Sequence, residues 1–190
     1  MFVVRVFLAT ALAVLAGGVA GAPPAVAAGI PDTAMLQPAD LGGAEPRDTD
    51  HDDWPKLRPP KPCGLTAPAP LADRAVTAVI GETRPEAIME YVAEHSADGA
   101  TGYLRKLRKA LKSCPDWRLE RSSADRLTFR WTQRWEHVGE QVTHHTYGTV
   151  AHTAGMLVLV TDSGWETSSG DPVVTERLIT PALRRAATSH

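Results

Sequence analysis

Asparagine is missing from all 190 residues, and cysteine occurs only at Cys63 and Cys114. The first absence removes every Asn-x-Ser/Thr acceptor for N-linked sugar. The second limits the chain to a single internal disulfide. No charge of one sign dominates, since 20 basic residues stand against 22 acidic ones. A nucleic-acid-coating protein is therefore not expected, and the 43% apolar content points to a globular chain. Catalytic and nucleotide-binding signatures are missing as well: there is no Gly-x-Ser-x-Gly, Gly-x-Gly-x-x-Gly, phosphate-loop lysine or His-Glu-x-x-His. Scattered pairs such as Asp162 and Ser163 remain, and neither a catalytic set nor a cofactor is expected.

Apolar runs of spanning length are also lacking. The longest, Val6 to Ala20, covers about 15 residues against the roughly 20 that a bilayer requires, and it contains Gly17-Gly18. It follows Arg5 and precedes the small-residue exit Ala25-Val26-Ala27-Ala28, the three-part layout of a secretory signal cleaved near Ala27 or Ala28. The leader carries no cysteine to accept a lipid. The expectation is a secreted, extracellular protein with no stable membrane insertion after signal removal. In an oxidising compartment, two cysteines read most simply as one bridge, Cys63 to Cys114, with free thiols or half of a metal site as alternatives. Closing a loop of about 50 residues restricts the unfolded chain by roughly 4 kcal/mol in the chain-entropy treatment.

What is present divides into three: a signal (1–28), an extended, weakly structured lead-in (29–70) with nine prolines from Pro31 to Pro70, and an α+β domain (71–190). The acidic run Asp48 to Asp53 lacks the Gly and distal Glu of a calcium loop and reads as a solvated loop. Ala72 to Ile80 reads as a strand. Thr83-Arg84-Pro85-Glu86 forms a capping box, predicting a helix with Ala87, Ile88, Tyr91 and Val92 on one side. A second helix carries Tyr103, Leu104, Leu107, Leu111 and Cys114 on its buried stripe, while Arg105, Lys106, Arg108, Lys109 and Lys112 form a solvated face.

From Trp117 onward the period changes to two. Leu127, Phe129 and Trp131 alternate with Arg126, Thr128, Arg130, Thr132 and Arg134, so one strand face is core and the other wet. A turn at His137 to Gly139 leads into a strand over about Gln141 to Thr153. Ala154-Gly155 then turns into Met156 to Val160, apolar on both faces and so central. Asp171-Pro172 opens a last helix reaching about Ala187, bent or split near Pro181. Segregated elements of this kind predict an α+β, two-layer fold: a curved antiparallel sheet with helices packed on one face.

Candidate ligand-contacting residues are Arg126, Arg130 and Arg134, a row of guanidinium groups able to bind anions, with Trp135 and Trp165 as aromatic walls and His145 beside them. His137, His144, His145 and His152 cluster in sequence. However, His144 and His145 point to opposite faces, and His144 and His152 are about 27 Å apart along a continuous strand, so no metal site is expected. Sheet-surface histidines without a task are the simplest reading, and a pH-responsive surface is the alternative.

The layout resembles the PknH-like extracellular sensor domains of actinobacteria. The likeness rests on Leu36-Gln37-Pro38-Ala39-Asp40-Leu41, a cysteine after a proline-rich stretch (Cys63), a strand followed by a segment with Tyr91 ending at Cys114, the hairpin Gly155, and a terminal helix. It covers about Met35 to Ala187. The chain departs from the kinase-linked domains in having no kinase, no spanning helix and one possible disulfide instead of two. The resemblance implies an α+β fold with a cleft for an unidentified ligand and no catalysis. The leading expectation is a monomeric, non-enzymatic binding domain whose partner is a small molecule or cell-envelope component. The rival readings are an envelope protein-interaction module without a pocket and an enzyme whose site is assembled from distant residues.

Overall fold

The computed structural model describes residues 29–50, 53–96 and 98–188. The expected leader, and His51 and Asp52 of the acidic run, lie outside the described residues. In chain order the elements are β1 (Arg47–Asp48), β2 (Ala72–Ile80), β3 (Glu86–Glu94), α1 (Gly99–Leu111), β4 (Trp117–Ser122), β5 (Arg126–His137), β6 (Glu140–Thr153), β7 (Met156–Asp162) and α2 (Pro172–Thr188). All strands join one open antiparallel sheet in the order β1-β2-β3-β7-β6-β5-β4. The α+β class is as expected, and β7 is central, with every residue buried.

One element differs in kind. Glu86 to Glu94, expected as helix, is strand β3, paired with β2 on one side and β7 on the other. The sequence misleads because Glu86, Glu90 and Glu94 recur every fourth residue, as the polar face of a helix does. Four is also a multiple of two, so the same residues share one face of a strand. Tertiary context then outweighs propensity: between two neighbouring strands, Ile88, Met89, Tyr91, Val92 and Ala93 are all buried.

The layering differs too, since the helices cover opposite faces and not one. On the α2 face, Val76, Ile88, Val92, Val158 and Val160 meet Leu178, Ile179 and Ala182. On the α1 face, Met89, Tyr91, Leu127, Phe129, Val150 and Leu159 meet Tyr103, Leu104, Leu107 and Leu111. The reason lies in β3 and β7, whose successive residues are apolar at both parities. A strand buried on both sides requires cover on both sides.

The proline-rich lead-in has little regular structure but is bound into both cores. Ala34, Met35 and Leu36 pack under α2 and Leu57 packs on the α1 face, each 0 or 1% exposed. Burying each large side chain contributes roughly 1.5–3 kcal/mol. The Leu36 N–H donates to Glu90 Oε2 at 2.6 Å, Arg185 Nε donates to Asp40 Oδ2 at 2.6 Å, and the Tyr103 hydroxyl donates to the Pro60 carbonyl. Cys63 and Cys114 form the expected disulfide, fastening the lead-in just beyond the end of α1. At α2, Asp171 Oδ1 accepts the Val173 N–H at 2.8 Å, the anticipated cap, and the helix continues through Pro181 to Thr188.

Candidate functional site

Strand parity separates the candidate residues into two groups. Arg126, Arg130 and Arg134 stand on the α2 side of β5, in register with Ala151, Tyr147 and Thr143, and His145 lies on the same side opposite Thr132. Successive arginines are about 13 Å apart along the strand, and acids accompany them. Arg130 Nε is 3.5 Å from Glu120 Oε1, Arg134 Nη1 is 3.3 Å from Asp116 Oδ1, and Arg126 lines a shallow hollow that also contains Asp125 and Glu176. His145 Nδ1 is 3.2 Å from Thr132 Oγ1, and its amide donates to Ser169 Oγ at 3.0 Å. Burial, then the charges of Arg130 and Arg134, lower its pKa. The row is a charge-compensated strand face whose guanidinium groups do not converge.

Trp135 and Trp165 lie on the opposite, α1 side, and there the structure brings a set together. A hollow of about 380 Å³ is walled by Trp54, Trp135 and Trp165 and floored by Gln133, His144 and Ser163. It exists because β5 and β6 outrun their cover. The core under α1 ends at Trp117, stacked on Trp131 at 5.3 Å between ring centroids, and the strands continue past it to His137 and Glu140. Trp54 enters from the lead-in, and Trp165 enters from the loop between β7 and α2.

The floor is a hydroxyl-centred network. Thr146 Oγ1 lies 3.2 Å from Ser163 Oγ and 3.5 Å from both Gln133 Oε1 and His144 Nε2. His144 is buried, its ring 5.3 Å from that of Trp135, and its Nδ1 has no hydrogen-bond partner of normal geometry. Burial, followed by the neighbouring His145, lowers its pKa, so near neutral pH the imidazole is uncharged. Thr146 stands between Ser163 and His144, so the two do not form a nucleophile and base in contact.

The lining residues include no Lys or Arg and one carboxylate, Glu166. Three indole faces above a floor that can both donate and accept hydrogen bonds suit a small uncharged or cationic molecule with an apolar side. They do not suit an anion. Two roomier hollows, of about 550 and 590 Å³, lie at the β1–β2 edge, where Glu45, Arg47 and Trp54 join small residues, and along the 64–70 loop, where Arg58, Lys61 and Asp73 join prolines and small residues. Among the described residues, no group of three or more His, Cys, Asp or Glu is placed to hold a metal ion, and no helix is long and apolar enough to cross a membrane.

Trp135 and Trp165, expected as walls beside the arginines and His145, stand together on the other face of the sheet, beside His144. The tight turn at His137 to Gly139 places Gln133 opposite His144. Counting back from that turn puts His144, and not His145, on the Trp135 side. Trp54 and Ser163 carry no such signal, because nothing local shows where the lead-in or the end of β7 will lie.

No family model matches the chain, and no curated protein matches it. Among solved structures it is weakly similar to the crystal structure of LpqN, involved in cell envelope biogenesis of Mycobacterium tuberculosis. That match has 15% identity and a TM-score of 0.27, covering 77% of this chain and 87% of that one.

Proposed function

We propose that the protein is a secreted, non-enzymatic binding domain of the sensor type, and that it takes a small molecule or a cell-envelope component into the tryptophan-walled hollow. The observation that carries the reading is the convergence of Trp54, Trp135 and Trp165 over the Gln133–His144–Ser163 floor. Trp165 is exposed and Trp54 and Trp135 are half-buried, and occupancy by an apolar-faced ligand would complete the burial of their indoles. The Cys63–Cys114 disulfide suits an oxidising location outside the cytoplasm. A binding role without catalysis is also what the resemblance to the PknH-like sensor domains implies.

The test is capture. The protein is incubated with an extract of cell envelope, dialysed, and its retained small molecules are read by mass spectrometry, with Trp135→Ala in parallel. The expected result is a molecule retained by the wild type and held about tenfold or more weakly by the variant, a loss of about 1.4 kcal/mol. A wild type that retains nothing, or a variant that retains the same molecule equally well, overturns the proposal.

A further inference from the structure

The wall of the hollow nearest solvent is a loop fastened at both ends. The Ser163 N–H donates to the Ala87 carbonyl and the Ala87 N–H to the Gly164 carbonyl, both at 3.0 Å, and the Gly170 N–H donates to the His145 carbonyl at 2.9 Å. Asp162 accepts the Gly164 and Asp171 amides at 2.8 and 2.9 Å, and Ser168 Oγ accepts the Trp165 N–H at 2.9 Å. So tied, the loop holds Trp165 and Glu166, both exposed, in the lining. Glu166 at φ 53° and Trp54 at φ 56° adopt the left-handed backbone that residues with a Cβ avoid. A glycine would make either turn at less cost, so what these positions retain is a side chain, one indole and one carboxylate.

We propose that the hollow recognises a quaternary ammonium group of the choline type, carried on an otherwise uncharged molecule, with Trp54, Trp135 and Trp165 against its methyl groups and Glu166 as counter-ion. The proposal names the ligand class of the binding site proposed above and rests on that site. Glu166 makes no ion pair among the described residues. The nearby cations are engaged elsewhere: Arg84 Nε faces Glu86 Oε1 at 3.2 Å, and Lys56 Nζ lies 5.5 Å from the centroid of the Trp131 ring. Trp131 is four residues before Trp135 on the same face of β5, so this face already holds one ammonium on an indole. Behind the lining, Asp162 is occupied by its two amides, and burial, then the Asp162 charge, push Glu86 up to about 7. A neutral ligand would take water from Glu166 without replacing it, and an anion would meet that carboxylate directly. A primary ammonium or a polyol requires hydrogen-bond partners, which the floor spends internally, since Ser163 Oγ and Gln133 Oε1 both turn to Thr146 Oγ1. A methylated ammonium requires none and is drawn to the negative faces of indoles. The volume of about 380 Å³ is near the lower end of the roughly 300–1,000 Å³ usual for small-molecule sites, the size for a compact cation.

The experiment is calorimetric titration of the full chain, in low salt, with choline and with 3,3-dimethyl-1-butanol, which has the same shape and no charge. Choline is expected to bind about tenfold or more tightly than the alcohol. Trp165→Leu is expected to weaken choline by about tenfold, and Glu166→Gln to weaken choline severalfold while leaving the alcohol unchanged. Both side chains are exposed, so neither variant disturbs the core. Equal binding of choline and the alcohol, or variants that bind choline as the wild type does, overturns the cation and leaves the hollow as a binding site. Phosphocholine is expected to bind more weakly than choline, because the lining offers no Lys or Arg to its phosphate. Tighter binding of phosphocholine overturns the uncharged carrier in favour of a lipid headgroup. A protein that ignores choline but retains an envelope molecule through Trp135 overturns the cation alone, and one that takes neither removes the binding site as well.

Discussion

The two faces of the sheet are covered by similar means and end up with different properties. The α2 face is closed along its length by a helix and the start of the lead-in, and it contains polar groups in its interior: Glu90, and the Thr128–Thr149–Thr175 hydroxyl chain at 3.3 and 3.1 Å. The α1 face is packed with rings, including Tyr91, Tyr103, Phe129, Trp117 and Trp131, is fastened by the disulfide, and stops short of the ends of β5 and β6. Closure on one side creates a stability that protons control. Incomplete closure on the other creates a concavity with aromatic walls. The candidate site is a product of where cover runs out.

The largest effect that sharpens this contrast concerns Glu90. The residue is 1% exposed, and burial raises its pKa to about 8 against the opposing pull of the Leu36 amide. Because the folded value exceeds 4.5, the group stabilises fully below pH 4.5, and that contribution falls as pH rises to about 8. The slope is about 1.4 kcal/mol per pH unit. Glu90→Gln is expected to remove this slope from urea-unfolding free energies measured at pH 5, 6.5 and 8, leaving only the shallower dependence due to Glu86. Equal slopes in the two proteins would mean that the α2 face does not hold a neutral acid.

Next in size is the disulfide. Replacing Cys63 and Cys114 together by Ser is expected to lower stability by about 4 kcal/mol. Hydrogen exchange should quicken first on the α1 side, around Leu57 to Leu65, while the Met35–Leu36 segment, anchored through Glu90 and Asp40, keeps its protection. Loss of protection on both sides at once would show that the lead-in is a single unit and that the two faces are not independently secured.

Much of this architecture is readable in the sequence because strict alternation and tight turns are local. The turn at His137 to Gly139, the hairpin Gly155, the bare period-two pattern of β5 and the Asp171-Pro172 cap each specify an element from its own residues. The errors arise where a neighbour decides. Glu86 to Glu94 becomes a strand because β2 and β7 lie on either side of it, and its every-fourth-residue glutamates satisfy both periods. The arginines of β5 look like a binding row until Asp116, just ahead of β4, and Glu120 within it arrive beside them. Of the site, Trp135 and its histidine follow from hairpin register, whereas Trp54 and Ser163 depend on contacts distant in sequence.

The smallest predicted effects come from one substitution made at two glycines, and they have opposite signs. Gly148 on β6 lies under the Phe129 ring, where a Cβ would be 2.3 Å from Cζ and 2.8 and 2.9 Å from the two Cε atoms. The ring is fully buried and held by Trp117 at 5.4 Å between centroids, so it cannot swing away freely. Gly148→Ala is therefore expected to cost about 1–3 kcal/mol by overpacking. Gly102, inside α1, has no atom within 4 Å of the same position apart from its chain neighbours and its own helix backbone, and there alanine relieves the backbone freedom of glycine and stabilises by about 1 kcal/mol. Thermal unfolding of the two variants checks both signs. A neutral Gly148→Ala would show that the aromatic layer of the α1 face yields to an added methyl, and that the walls of the hollow it supports are not rigid.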